Sequence, residues 1–300
     1  MTFHEGGSFE GGRVQRRGRG RTVAAGGGIG LVGIAVLLLS GVLGVDLGPI
    51  LGAVTGQDPA AQSDAGSGTP GTTQECTVEQ ANTERHCRLS AAVQSLDAVW
   101  IEQLDVDPDS FPIPDVVDFD SSTSTACGQA SSSTGPFYCP PEQTIFLDLG
   151  FFDLLESRFG ASGGPLAEMY VTAHEYGHHI QQITGVMDRA DRSGTGADSD
   201  SVRLELQADC YAGLWVGKAA TTIDPDRGVP FLEPVTSAEL ADALSAAAAV
   251  GDDHIQSSSG GIVNPDSWTH GSSEQRERWF MIGYEQGSVA ACDTFATSAL

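Results

Sequence analysis

Lysine is nearly missing from this chain. Lys218 is the sole example, and Lys and Arg together number 15 against 40 Asp and Glu, a formal net charge of −25. Phosphate backbones are gripped by clustered Lys and Arg, so a nucleic-acid partner is not expected. The acidity is read as a solubility feature. No C-x-x-C pair occurs among the six cysteines, which argues against thiolate metal ligation. No convincing A-x-A cleavage signal follows the apolar stretch near the N-terminus. No internal repeat is found.

What positive charge there is gathers at the front. Arg13, Arg16, Arg17, Arg19 and Arg21 stand there against only Glu5 and Glu10. Residues 23–45, VAAGGGIGLVGIAVLLLSGVLGV, carry no charge and exceed the roughly 18 apolar residues expected of a membrane helix. With arginines before this run, the positive-inside rule makes residues 1–22 a cytoplasmic basic segment and residues 23–45 a single-pass signal anchor. A cleaved signal peptide is the alternative. In both cases the large domain is extracytoplasmic, at the cell membrane. Residues 46–75, rich in Gly, Ala, Ser, Thr, Pro and Gln, are read as a flexible linker. Residues 76–300 form the folded domain.

All six cysteines follow the apolar run, and an even number outside the cytoplasm points to three disulfides. Local spacing pairs Cys76 with Cys87 and Cys127 with Cys139, which leaves Cys210 for Cys292. Helical periodicity is present at 86–105, 202–218, 237–250 and within 271–287. Residues 107–142 are read as a long loop around Cys127 and Cys139, and QTIFLDLGF at 143–151 as a strand. The fold class is α+β, mainly helical with a small sheet.

The segment that constrains chemistry most is His174-Glu175-Tyr176-Gly177-His178. It lies in a helix that Gly163-Gly164-Pro165 opens and Gly185 stops. Residues i and i+4 share one helical face, so His174 and His178 can offer ring nitrogens to one metal. Glu175, turned aside, is placed to act as general base. A catalytic zinc needs a third protein ligand. The metzincin pattern would require Gly and His where Gln181 and Thr184 stand, so the ligand comes from elsewhere. Glu205-Leu206-Gln207-Ala208-Asp209 again sets two carboxylates on one helical face. Glu205 is the candidate ligand, and Asp209 the acceptor for the spare N–H of a ligand histidine. His179 is read as structural and His254 as a surface histidine.

VTAHEYGHHIQ, ELQADCYAGLW, CGQASSSTGPFYCPPEQTIFLDLGFF and the tail from THGSSEQRERWF to ACDTF together resemble the neutral zinc metallopeptidase family that includes the YpfJ-type bacterial membrane proteins. The resemblance covers roughly residues 76–295. It implies a zincin-like fold of the Glu-ligand (gluzincin) type. It brings no defined substrate.

The chemistry expected is hydrolysis of peptide bonds in a peptide or protein substrate, with one Zn2+ per chain and Glu175 moving the proton. His270 and Arg276, in HGSSEQR, are the candidates for a second hydrogen-bonding or positive group. Arg276 would hold His270 or a carboxylate. The strand QTIFLDL is expected, by fold analogy, along the cleft edge where an extended substrate pairs. Two other readings compete: a non-enzymatic exported binding module with structural zinc, and an amidase acting on cell-wall peptides. Oligomeric state is not legible in the sequence.

Overall fold

The computed structural model describes residues 2–17 and 72–300. Its strands are β1 (Ser8–Phe9), β2 (Val14–Arg17), β3 (Thr72–Thr73), β4 (Cys76–Thr77), β5 (Asp115–Phe119), β6 (Ser122–Thr125), β7 (Gly128–Ser131), β8 (Phe137–Cys139) and β9 (Thr144–Leu147). Its helices are α1 (Val78–Thr83), α2 (Arg85–Leu104), α3 (Phe151–Ser157), α4 (Pro165–Ile183), α5 (Val186–Arg189), α6 (Asp200–Ala219), α7 (Ser237–Ala249), α8 (Asp252–Ser258) and α9 (Ser273–Gln286). The α+β class and the four expected helices are present, with ends within two residues of those read from periodicity. The expected loop at 107–142 instead contains β5, the β6–β7 hairpin and β8. Ser122–Thr125 reads STST and Gly128–Ser131 reads GQAS, so this hairpin offers almost no apolar alternation to detect.

The main sheet runs β3-β2-β5-β9-β8, with β2, β5 and β9 parallel and the outer two strands antiparallel to their neighbours. Period-two alternation divides its residues between two cores. Val116, Tyr138, Ile145 and Leu147 join the principal helical core, while Val117, Phe119, Phe137 and Phe146 form a smaller cluster on the other face. Burial on both faces explains why all four residues of β9 are buried. It also corrects the placement of QTIFLDL. That strand is internal, between β5 and β8, and the outer strands of the sheet are β8 and β3.

The helices assemble around α4, which packs on α2, α6 and α7. Pro165 occupies the first turn of α4 after Gly163 and Gly164, both at positive φ, and Gly185 follows its end in the left-handed region. Gly177 is where α4 and α6 come closest. A Cβ there would stand 3.1 Å from the Ala208 Cα, tighter than ordinary packing. The α6–α9 crossing is closer still: a Cβ on Gly213 would collide with the Phe280 carbonyl, and one on Gly283 with the Cys210 carbonyl. The cysteines are bonded as the spacing predicts, Cys76–Cys87, Cys127–Cys139 and Cys210–Cys292, with sulfurs 2.09, 2.13 and 2.01 Å apart. The last ties α6 to a 3-10 turn at Val289–Cys292.

The N-terminal segment is a correction. Residues 2–17 belong to the same body as the domain, not to a separate unit of residues 1–22. β2 pairs in parallel with β5 and antiparallel with β3, and Phe3, Phe9 and Val14 are buried in the principal core. Arg227 clamps the segment, donating to the His4 carbonyl at 2.9 Å with its guanidinium 4.3 Å from the Phe9 ring centroid. The linker gives way to β3 at Thr72. The apolar run 23–45, and linker residues up to 71, lie outside the described residues. No helix among the described residues is long and apolar enough to cross a membrane.

The N-terminal segment also reaches the motif helix. Arg13 Nε donates to Asp97 on α2 at 2.7 Å, and the Tyr176 hydroxyl, inside the H-E-x-x-H segment, donates to the same carboxylate at 2.8 Å. Burial pushes the Asp97 carboxyl up, and Arg13 and Tyr176 pull it back. Arg13→Ala leaves this largely buried carboxylate without its cation. The pair retains some exposure, so the expected loss of stability is about 2–3 kcal/mol, read by urea unfolding. No change in the unfolding midpoint would remove the segment from the folded body.

Candidate metal centre

His174 and His178 sit one turn apart on α4, their ring centroids 4.8 Å apart. α6 brings Glu205 in front of them: its Oε2 lies 3.2 Å from His174 Nε2 and its Oε1 3.4 Å from His178 Nε2. All three ligand atoms fall within 4.8 Å of one another. This is the set named from sequence, brought together by the close α4–α6 approach at Gly177.

Both rings are oriented from behind. His174 Nδ1 is 2.8 Å from Asp209 Oδ1, and His178 Nδ1 is 2.8 Å from Gln181 Oε1. A carboxylate and an amide oxygen can only accept, so each ring carries its proton on Nδ1 and turns an Nε2 lone pair inward. The inward atoms lack ordinary partners: His174 Nε2 and Glu205 Oε2 are buried without a hydrogen bond. Buried polar groups are nearly always satisfied. Two unpaired acceptors pointing at one spot fit a cation, and two imidazoles with one carboxylate are the donor set of an open catalytic zinc site.

Asp209 is the centre of the supporting network. It accepts from the Tyr170 hydroxyl at 2.5 Å, from His174, and from Arg276 through Nε at 2.9 Å and Nη2 at 3.0 Å. Arg276 on α9 therefore holds a carboxylate, the second of the two roles expected for it. Burial would raise the Asp209 carboxyl, but Arg276 and His174 outweigh it and hold the group below its usual range. Burial works against a charged His174, yet Asp209 and Glu205 lift it to about 10, so a proton shared with Glu205 and a metal ion compete for the same inward Nε2. Glu205 is held well below the usual carboxylate range: burial opposes its charge, and the facing histidines overcome that opposition.

Glu175 is buried beside the pair. Burial raises its carboxyl, while His178, His174 and the Tyr138 backbone N–H on β8 hold it down. A carboxylate with raised proton affinity beside two metal ligands is equipped to accept and release a proton. His270, just before the N-cap Ser272 of α9, is buried. Its Nδ1 is 3.1 Å from Asp252 Oδ1, while Asp252 Oδ2 accepts the backbone N–H groups of Thr269, His270 and Gly271.

Three contributors escape sequence reading. Asp252 lies next to Asp253 and His254, where no spacing links it to His270. Tyr170 is one helical turn before His174 and looks like a core residue. Gln181 did carry a signal, since position i+3 from His178 shares its helical face. Its Nε2 donates to the Leu204 carbonyl at 2.7 Å and to Gln207 Oε1 at 3.1 Å, and Gln207 donates to the Cys292 carbonyl at 3.0 Å. His179 is structural as expected, buried between the Tyr138 hydroxyl, 3.0 Å away, and the Pro112 carbonyl. His254 is half-buried, its Nε2 3.0 Å from the Phe159 carbonyl.

A helix carrying two histidines and a glutamate, faced by a glutamate from a second helix and by a buried Asp–Arg pair, defines a zinc-metallopeptidase type of centre. Comparison with known proteins agrees. Residues 4–295 match the family described as "Putative neutral zinc metallopeptidase", and the chain belongs to that family. An uncharacterized protein of Mycobacterium tuberculosis is 48% identical over 224 residues, covering 75% of each chain. The uncharacterized protein YpfJ of Escherichia coli K12 is 36% identical over 275 residues, 90% of this chain and 87% of the relative. No solved structure matches.

Gln181→Leu keeps the side-chain volume and removes the acceptor that holds His178. Zinc affinity, measured by competition with a chromophoric chelator, should fall about 10- to 100-fold. Unchanged affinity would show that the Gln181 contact does not prepare the ligand.

Proposed function

We propose that this protein is an extracytoplasmic zinc-dependent peptidase. The observation that carries the reading is the buried His174–His178–Glu205 cluster, its inward lone pairs unsatisfied, with Glu175 adjacent on the same helix. His174, His178 and Glu205 would hold one zinc. Zinc, when bound, supplies a Lewis acid that makes water a nucleophile near neutral pH and polarises a peptide carbonyl.

The remaining steps belong to the chain. Glu175 accepts the proton as water oxygen bonds to the carbonyl carbon. It then delivers that proton to the amide nitrogen as the C–N bond breaks. His270, oriented by Asp252, offers a hydrogen bond to the carbonyl oxygen as charge develops there. The Arg276–Asp209 pair keeps His174 in one tautomer and does not touch substrate. The outer side of β8, whose Tyr138 hydroxyl meets His179 of the motif helix, is the edge an extended peptide backbone would join.

The site is tested by Glu175→Gln, compared with the parent on casein, short peptides and cell-wall fragments, with and without chelator. The variant should bind zinc normally and lose about 100-fold or more in peptidase activity. Full activity with zinc bound would remove Glu175 as the base. Chelator-sensitive cleavage of cell-wall fragments alone would redirect the reading to an amidase.

Three disulfides support a place outside the cytoplasm, and residues 23–45 are proposed to attach the chain to the membrane. Because β2 and β5 share a sheet, both flanks of that segment are proposed on the outer side. Cysteines introduced at the exposed positions Ser8 and Ser257 should both react with an impermeant maleimide on intact cells. Labelling at 257 with protection at 8 would return the N-terminal segment to the cytoplasm.

A further inference from the structure

The three disulfides differ in access. Cys76, Cys87, Cys139, Cys210 and Cys292 are each 1% exposed or less, whereas Cys127 is half-buried. Cys127–Cys139 is therefore the one bond of the three with a half that solvent reaches. A thiolate must reach one of the two sulfurs to open a disulfide, so burial shields the other two bonds.

The position of this bond gives its access a consequence. Cys127 sits in the turn of the β6–β7 hairpin, whose strands pair with each other and with no other described strand. Cys139 ends β8, in the main sheet. The hairpin also meets the sheet through Ala130, in the small cluster with Phe137 and Phe146, and through the Ala126 N–H, which donates to the Glu142 carboxylate. Between the two cysteines, 12 apart in sequence, lies the rim of the metal centre. Thr134, Gly135 and Pro136 share one hollow with His174 and Glu175. His179 Nε2 faces the Pro112 carbonyl, which can only accept, so Nδ1 is left to accept from the Tyr138 hydroxyl at 3.0 Å. The rim is thus tied to the motif helix at Tyr138 and to the hairpin at Cys139. Ser131 to Thr134 are all polar, so this stretch has little apolar anchoring and its order depends on the cross-link.

We infer that Cys127–Cys139 is a thiol–disulfide exchange site for a dithiol, and that its state sets the order of the rim beside the metal centre. On the reading of this centre as a peptidase, the oxidised form is the active one. A thiolate of the dithiol bonds to Cys127 Sγ, and the electron pair of the broken bond leaves on Cys139 Sγ, which takes a proton. The second thiol of the dithiol gives up its proton, bonds to the first sulfur and displaces Cys127, which is protonated in turn. Two electrons pass from the dithiol, which ends as a disulfide, to the protein, which ends with two thiols. His174, His178 and Glu205 lie on α4 and α6, outside the released loop, so zinc stays in place.

The experiment treats the full-length, zinc-loaded chain with a catalytic amount of a thioredoxin-type dithiol protein, kept reduced by its own reductase. Free thiols are trapped with iodoacetamide and mapped by mass spectrometry. Cys127 and Cys139 should be alkylated together, about tenfold or more faster than the remaining cysteines. Amide hydrogen exchange over residues 122–138 should quicken on reduction, while α4 and α6 keep their protection. Activity on casein should fall about tenfold with zinc retained, and return on reoxidation. Cys127→Ser combined with Cys139→Ser should match the reduced form and ignore the dithiol. If that variant does not fold, reduction and reoxidation of the parent decide alone. Earlier opening of Cys76–Cys87 or Cys210–Cys292, or reduction of Cys127–Cys139 that leaves exchange and activity unchanged, would overturn the site. If the zinc-loaded parent cleaves neither casein nor peptides, the peptidase reading falls, and the order of alkylation with the exchange data still decides whether this bond controls the rim.

Discussion

The Asp209 carboxylate, buried between α4, α6 and α9, is the constraint on which the centre depends. Taking a carboxylate and a guanidinium out of water costs several kcal/mol per ion, and only a saturated set of partners offsets it. Asp209 has that set: two nitrogens of Arg276, the Tyr170 hydroxyl and the His174 ring. Removing Arg276 leaves charge unpaired in the core, and removing Tyr170 or His174 leaves the carboxylate short of a donor, so the three helices hold one another in register. His174 is a member of this network before it is a metal ligand. Its tautomer and direction are set by the same contacts that join the helices.

Close helix packing makes that network possible. Gly177 lets α6 approach the motif helix, and Gly213 with Gly283 lets α9 approach α6. The Cys210–Cys292 bond then holds the segment that accepts from Gln207. His178 is thereby supported by neutral amides and a backbone carbonyl, whereas His174 is supported by an ion pair. The two ligands are held by different physics. One depends on charge compensation at depth, the other on a chain of amide hydrogen bonds anchored at a disulfide.

The sheet supplies the other wall. β9 is buried on both faces and cannot receive a substrate, while β8 is short, free along one side, and in contact with both Glu175 and His179. On its far side the sheet is completed by β2, from before the apolar run. Through Arg13, Asp97 and Tyr176, that strand reaches the motif helix. The N-terminal segment is therefore part of the scaffold of the site.

Much of the centre was legible because its residues obey local rules. His174 and His178, like Glu205 and Asp209, are spaced by one helical turn, and helical geometry alone puts each pair on one face. The disulfides followed from short spacing and remainder. The four long helices showed their period. Elements without such a signature were not legible: the polar β6–β7 hairpin, the three-residue β8, and the four-residue, arginine-bearing β2. What only the tertiary structure decided is who faces whom. That Asp209 serves His174 and Gln181 serves His178, that Arg276 neutralises a carboxylate, that Asp252 orients His270, and that β8 forms the edge all depend on contacts between segments far apart in sequence. Local periodicity determines the face a residue occupies. Burial and close packing determine what that face meets.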